Sequence, residues 1–118
     1  MKIRRIVPDI CSNDLEKSKQ FYGDFLGLKL VMDMDWILCF ASESNQTAQI
    51  NILPNDNKDV TNANVFITIE VFEIDAAYEK AIANNYEIVY PITNEPWKVR
   101  RFFMKDPNGV TINIMCHL

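Results

Sequence analysis

The sequence predicts an α+β fold of two tandem βαβββ modules, a curved mixed antiparallel sheet around a cavity with the helices outside. Three observations carry that prediction. Apolar alternation and helical stripes place the elements of each half in the order strand, helix, strand, strand, strand. Ile50-Asn51-Ile52 closes the first half and Ile112-Asn113-Ile114 closes the second at the same place in that order, which points to an internal duplication. Finally, Asp106-Pro107-Asn108-Gly109 joins two strands by a type I turn, because Pro presets φ at its second position. The boundaries are a single domain over 1–118, with modules over 1–53 and 65–118 and a connection over 54–64.

Taken in order, 3–11 reads as a strand, with Pro8 lacking the ladder donor and therefore placing it at an edge or a break. Ser12 or Asn13 caps a helix with Glu16 in its first turn. Leu15, Ser18, Phe21, Tyr22 and Phe25 form its buried stripe, and Gly27 supplies the left-handed stop. Strands are expected over 28–33, 36–41 and 48–53, and the polar Asn- and Asp-rich stretch after them reads as the connection. In the second half a strand covers 65–71, with Phe66, Thr68 and Glu70 on one face. A helix over 73–84 stops at Asn84-Asn85, and strands follow over 87–91, 100–105 and 110–116.

The final hairpin separates two faces. Arg100, Phe102 and Met104 alternate with Arg101, Phe103 and Lys105, and Thr111, Asn113 and Met115 oppose an apolar stripe of Val110, Ile112, Ile114 and Cys116. One face belongs to the core. The other, carrying an aromatic, a guanidinium and an amide, has the character of a wet cavity wall. The concave side of the paired modules is predicted to carry Val7, Asp9, Gln49, Asn51, Phe66, Thr68, Thr111, Asn113 and Met115, a mixed lining and the default ligand site.

Composition narrows the function classes. A length of 118 residues suits one core. A net charge of −4 with scattered Lys and Arg argues against nucleic-acid binding. No basic-then-apolar leader and no apolar run near the roughly 18 residues of a membrane helix is present, which predicts no membrane partner. The three cysteines Cys11, Cys39 and Cys116 lie in apolar strands without metal spacing and read as reduced thiols of a cytoplasmic protein. Neither a nucleophile elbow nor a glycine-rich phosphate loop occurs.

Several stretches carry a family resemblance. Val7-Pro8-Asp9-Ile10, Asp14-Leu15-Glu16-Lys17-Ser18, Phe21-Tyr22, Leu26-Gly27-Leu28, and Trp97 with Arg100, Phe102 and the Asp106–Gly109 turn together resemble the vicinal oxygen chelate superfamily. That superfamily includes glyoxalase I, extradiol dioxygenases and bleomycin-resistance proteins. In its metal-dependent members, His, Glu or Gln ligands stand where this chain has Val7, Asn51, Phe66 and Asn113. Val7 and Phe66 cannot ligate, and two amide oxygens are poor substitutes for carboxylate or imidazole. Asp9, Gln49 and Glu70 are an alternative oxygen set, and His117 reads as a solvated terminal side chain.

The expectation is therefore no metal, no cofactor and no catalytic residue. The resemblance is nearest the metal-free bleomycin-resistance-like branch, which implies a homodimer that sequesters an aromatic or cationic small molecule. Trp36, Phe66, Trp97 and Phe102 would supply stacking faces, and Arg100, Asn51, Asn113 and Asp9 polar contacts. Trp97 is placed at a pocket mouth. Lys98 stands where the family often has Gly, which predicts a different local backbone. The alternative is a divalent-metal-dependent lyase, isomerase or dioxygenase related to glyoxalase I; a regulatory module that only keeps the fold is a third reading.

Overall fold

The computed structural model describes residues 1–54 and 61–118, so most of the expected connection lies outside the described residues. Two compact units, Met1–Asn62 and Ala63–Leu118, divide the chain. In the first, strand β1 (Asp9–Ser12) leads to helix α1 (Leu15–Lys19), which continues as a π-helical segment over Gln20–Phe25 before β2 (Lys29–Met34), β3 (Ile37–Ala41) and β4 (Gln49–Pro54). The second repeats the order with β5 (Phe66–Glu70), α2 (Ile74–Ala83), β6 (Ile88–Glu95), β7 (Val99–Lys105) and β8 (Thr111–His117). Their sheets run β1-β4-β3-β2 and β5-β8-β7-β6. In each, the first and last strands pair in parallel and the others antiparallel. The duplicated order read from the sequence is the order found.

The first core is aromatic. Phe21 and Tyr22 are fully buried with ring centroids 4.9 Å apart, Phe25 lies 5.4 Å from Phe21, and Tyr22 reaches Phe40 of β3 at 6.0 Å. Ile10, Leu38 and Ile52 complete it from one sheet face. The helix cap differs from the sequence reading. Asp14 accepts from the Lys17 amide, whereas Ser12 is buried, accepts from the Asp14 amide and bonds the Ser18 hydroxyl at 2.9 Å. A one-residue-later start puts the carboxylate on the orphan donors and leaves Ser12 to satisfy Ser18 inside. Gly27 takes φ +77°, the expected left-handed stop.

In the second unit α2 covers one sheet face. Tyr78 meets Phe102 edge-on at 4.9 Å, and Phe102, Met104, Ile112 and Ile114 are buried beneath it. Glu73 and Asn84 flank the helix, and Asn85 turns left-handed at φ 60°.

Two strand boundaries depart from expectation. β1 begins only at Asp9 rather than residue 3, because Pro8 offers its carbonyl to Asn51 but has no N–H to return. The edge strand β6 runs to Glu95 rather than ending at Pro91, since register shifts on both sides of Tyr90 let it bulge past the proline. The Asp106 turn is held by its own side chain. Oδ1 accepts from the Asn108 and Val110 amides, each at 2.8 Å, and Gly109 takes φ +83°.

Candidate functional site

In both units the sheet face away from the helix carries an asparagine on the last strand, braced to the first strand. In the first unit, register aligns Asp9, Asn51, Cys39 and Met32 in one row. Asn51 Nδ2 donates to Asp9 Oδ1 at 2.9 Å. Arg5 donates to Gln49 beside it. Burial pushes the Cys39 thiol above its ordinary range, Asp9 adds to the rise, and Arg5 opposes it. Trp36 stands in the β2–β3 turn and is 61% exposed.

The corresponding row of the second unit is Thr68, Asn113, Phe103 and Tyr90. Asn113 Nδ2 bonds Thr68 Oγ1 at 3.1 Å, the same cross-strand brace. Its oxygen is buried and unpartnered among the described residues. Exchanging O and N of the amide leaves one of them unpartnered in either orientation. Along this row the aromatics form a strip: Phe66 lies 5.1 Å from Phe103, and Phe103 lies 4.9 Å from Tyr90.

Arg101 shares that face. Its guanidinium carbon sits 4.8 Å from the Phe103 centroid, 5.1 Å from Trp97 and 5.7 Å from Tyr90. Nη2 donates to Glu95 Oε2 at 3.0 Å, and the Tyr90 hydroxyl donates to Glu95 Oε1 at 2.9 Å. The Glu95 side chain is 9% exposed against 23% for Arg101, whose Nε–H is buried and unpartnered among the described residues. At the rim, His117 Nδ1 meets Glu70 Oε2 at 3.1 Å.

The β6–β7 turn positions Trp97. Glu95 to Lys98 closes with a 3.1 Å backbone bond, and Lys98 follows at φ 67°. A three-residue hairpin loop needs a left-handed residue at that place. Lys98 thus takes the left-handed conformation that glycine adopts freely, at a steric cost.

Of the expected site residues, Asn113, Phe66 and Trp97 lie on or beside the helix-free face of the second unit, and Asp9 and Asn51 on that of the first. Arg100 and Phe102 are corrected. Phe102 is core under α2, and Arg100 donates to Asp75 of that helix at 2.8 and 3.0 Å and to Asn94 at 2.8 Å. Alternation makes the reason simple: a one-residue step along β7 exchanges the faces. The residues missed are their neighbours Arg101 and Phe103, with Tyr90 and Glu95. The alternation already separated Arg101 and Phe103 from the core face; no signal in the sequence brought Glu95 to them.

The positions that hold metal in metal-dependent relatives do not fit one. Val7 and Phe66 carry no metal-ligating atom, and Asn51, whose Nδ2 donates to Asp9, and Asn113 each offer only a single neutral amide oxygen. Among the described residues no three His, Cys, Asp or Glu side chains converge. Nor is any helix long and apolar enough to cross a membrane.

Comparison with known proteins agrees with this architecture. The sequence profile of the Glyoxalase/Bleomycin resistance protein/Dioxygenase superfamily matches residues 2–114. Among solved structures, a member of that superfamily from Sphaerobacter thermophilus DSM 20745 is 22% identical with TM-score 0.82, covering 98% of both chains. TioX from Micromonospora sp. ML1 is 14% identical with TM-score 0.79, over 97% of this chain and 98% of TioX. A protein of unknown function from Agrobacterium tumefaciens str. C58 is 26% identical with TM-score 0.74, over 100% of this chain and 95% of its own. No curated protein matches the sequence. The two four-stranded sheets, each pairing its first and last strands in parallel, and the profile match lead to one conclusion: the chain belongs to the glyoxalase/bleomycin resistance protein/dioxygenase superfamily.

Proposed function

We propose that the chain is a metal-independent small-molecule-binding protein that holds a flat aromatic compound on the helix-free face of its second unit. The observation that carries this reading is the strip Phe66–Phe103–Tyr90, with Trp97 59% exposed beside it. Rings packed edge-to-face and tilted against one another on the face away from the core offer a ligand apolar area, while few polar groups set its orientation. Asn113 and Arg101 supply those groups on the same face. The same reading places the protein in the cytoplasm, consistent with three free cysteines, and makes it a homodimer. The apolar, exposed edge strand β2, with Val31, Met32 and Met34, supports the latter.

The test is a thermal-shift screen of flat aromatic compounds at micromolar concentration, run beside elemental analysis of the purified protein. Saturable stabilisation of metal-free protein is expected. Stoichiometric bound metal with turnover of a thiol-hemiacetal would favour a glyoxalase-type enzyme instead.

A further inference from the structure

Resting on that reading, we infer that the ligand is a planar aromatic acid, its ring on the Phe66–Phe103 strip and its carboxylate facing Arg101, and that the site disfavours cations. Three observations point the same way. First, the place a cation would take is filled. Three rings and the buried Glu95 carboxylate surround one point, and the chain's own guanidinium occupies it. A cationic ligand would have to expel Arg101, exchanging one desolvated ion pair for another with no net gain of partner.

Second, the unspent hydrogen-bonding capacity of the pair is donor capacity. Both Glu95 oxygens already accept, one from Arg101 and one from Tyr90. Arg101 has five N–H groups and spends one of them on Glu95; Nε is buried, so the uncommitted Nη donors of the part-exposed guanidinium are the ones left for a ligand. The arginine is also the more exposed member, so the pair turns its positive pole outward. Carboxylates match a guanidinium edge in shape and charge.

Third, a second cation stands at the other end of the strip. Lys105 lies four residues along β7 on the same face, about 13 Å from Arg101 at strand rise, with Phe103 between them. Its ammonium rests on the Thr111 hydroxyl at 2.8 Å and the Gly109 carbonyl at 3.3 Å, with no carboxylate partner among the described residues. The other acid of the face among the described residues, Glu70, is exposed at the rim, where it meets His117 Nδ1 at 3.1 Å. An aromatic floor with a cation at each end selects an anion carried on a ring.

Three near-isosteric planar probes separate the possibilities: 2-naphthoate, 2-naphthamide and 2-naphthamidinium, titrated calorimetrically into the full chain. The expected order is naphthoate tightest, amide intermediate and the cation at least about tenfold weaker than naphthoate. The double variant Arg101→Met/Glu95→Gln, which leaves no buried charge unpaired, should lose the acid preference yet still bind the amide. Lys105→Gln should weaken naphthoate alone by a few-fold and, as a surface change, decides the matter if the double variant fails to fold. A cation that binds as tightly as naphthoate overturns the charge assignment while leaving the aromatic-binding reading intact. If none of the three binds, the aromatic-binding reading fails and this inference with it.

Discussion

Lys98 shows how a single residue reports on the site. Its φ of 67° is the conformation the hairpin demands and glycine supplies freely. Replacing it, Lys98→Gly, is expected to raise unfolding free energy by roughly 0.5–1 kcal/mol, less glycine's extra unfolded-state entropy. Urea denaturation checks this, and a loss of stability would mean the lysine side chain contributes more than its strain. Cys39 makes a second residue-scale prediction. Burial first, and then Asp9, raises its thiol, so the neutral form is favoured in the fold. A raised thiol pKa contributes stability below the unfolded-state value that is lost as pH rises through the folded one. Cys39 should therefore alkylate slowly at neutral pH and accelerate only in more alkaline solution than an ordinary cysteine; Asp9→Asn should shift that rise to lower pH. Mass spectrometry of iodoacetamide labelling against pH measures both. The limits of sequence reading also live at this scale. Arg100 and Phe102 were expected to line the site, yet Arg101 and Phe103 are the β7 residues on the helix-free face, because motif spacing locates a strand while only register decides which face a residue serves.

At the scale of elements, the strand and helix order was legible throughout, since alternation and helical stripes survive in every segment. What was not legible were the interruptions. The continuation of β6 past Pro91 depends on bulges opposite Phe103, and the widened turn from Gln20 to Phe25 depends on how Tyr22 seats against Phe40 and Phe21 against Tyr22 and Phe25. Both are set by partners distant in sequence. The π-helical segment invites a test at Gly23. A Cβ there would lie 3.6 Å from Phe40 Cε1, an ordinary contact, and the glycine has no positive φ. Gly23→Ala is expected to stabilise by about 0.5–1 kcal/mol through the lower backbone entropy of the unfolded chain. Thermal unfolding reads the effect; a fall in Tm would show that the segment needs the glycine for a reason other than space. The Asp106 turn is the converse case. Two amides depend on one carboxylate oxygen, so Asp106→Ala should cost about 2–3 kcal/mol, and denaturant unfolding should show the loss without a change of slope.

For the whole molecule, the duplication has a physical signature beyond topology. Asn51 and Asn113 hold equivalent places and each braces the last strand to the first, one against Asp9 and the other against Thr68. The repeated Ile-Asn-Ile triplet therefore marks a structural element as well as a repeat. The two faces have since diverged. One carries Asp9, Cys39 and Met32, and the other Thr68, Phe103 and Tyr90 with Arg101 and Glu95 alongside. Of the two helix-free faces, the aromatic strip lies on the second copy's, the face proposed for the ligand. Superfamily membership was readable from motifs spread over the chain; the ligand-bearing copy was not, because it rests on cross-strand neighbours. The central claim is tested by titrating chelator-treated protein with 2-naphthoate in a Trp36→Phe background, so that Trp97 alone reports by fluorescence. The account predicts saturable quenching that added Ni or Zn leaves unchanged. Absence of saturation, or quenching that appears only once metal is restored, would contradict it.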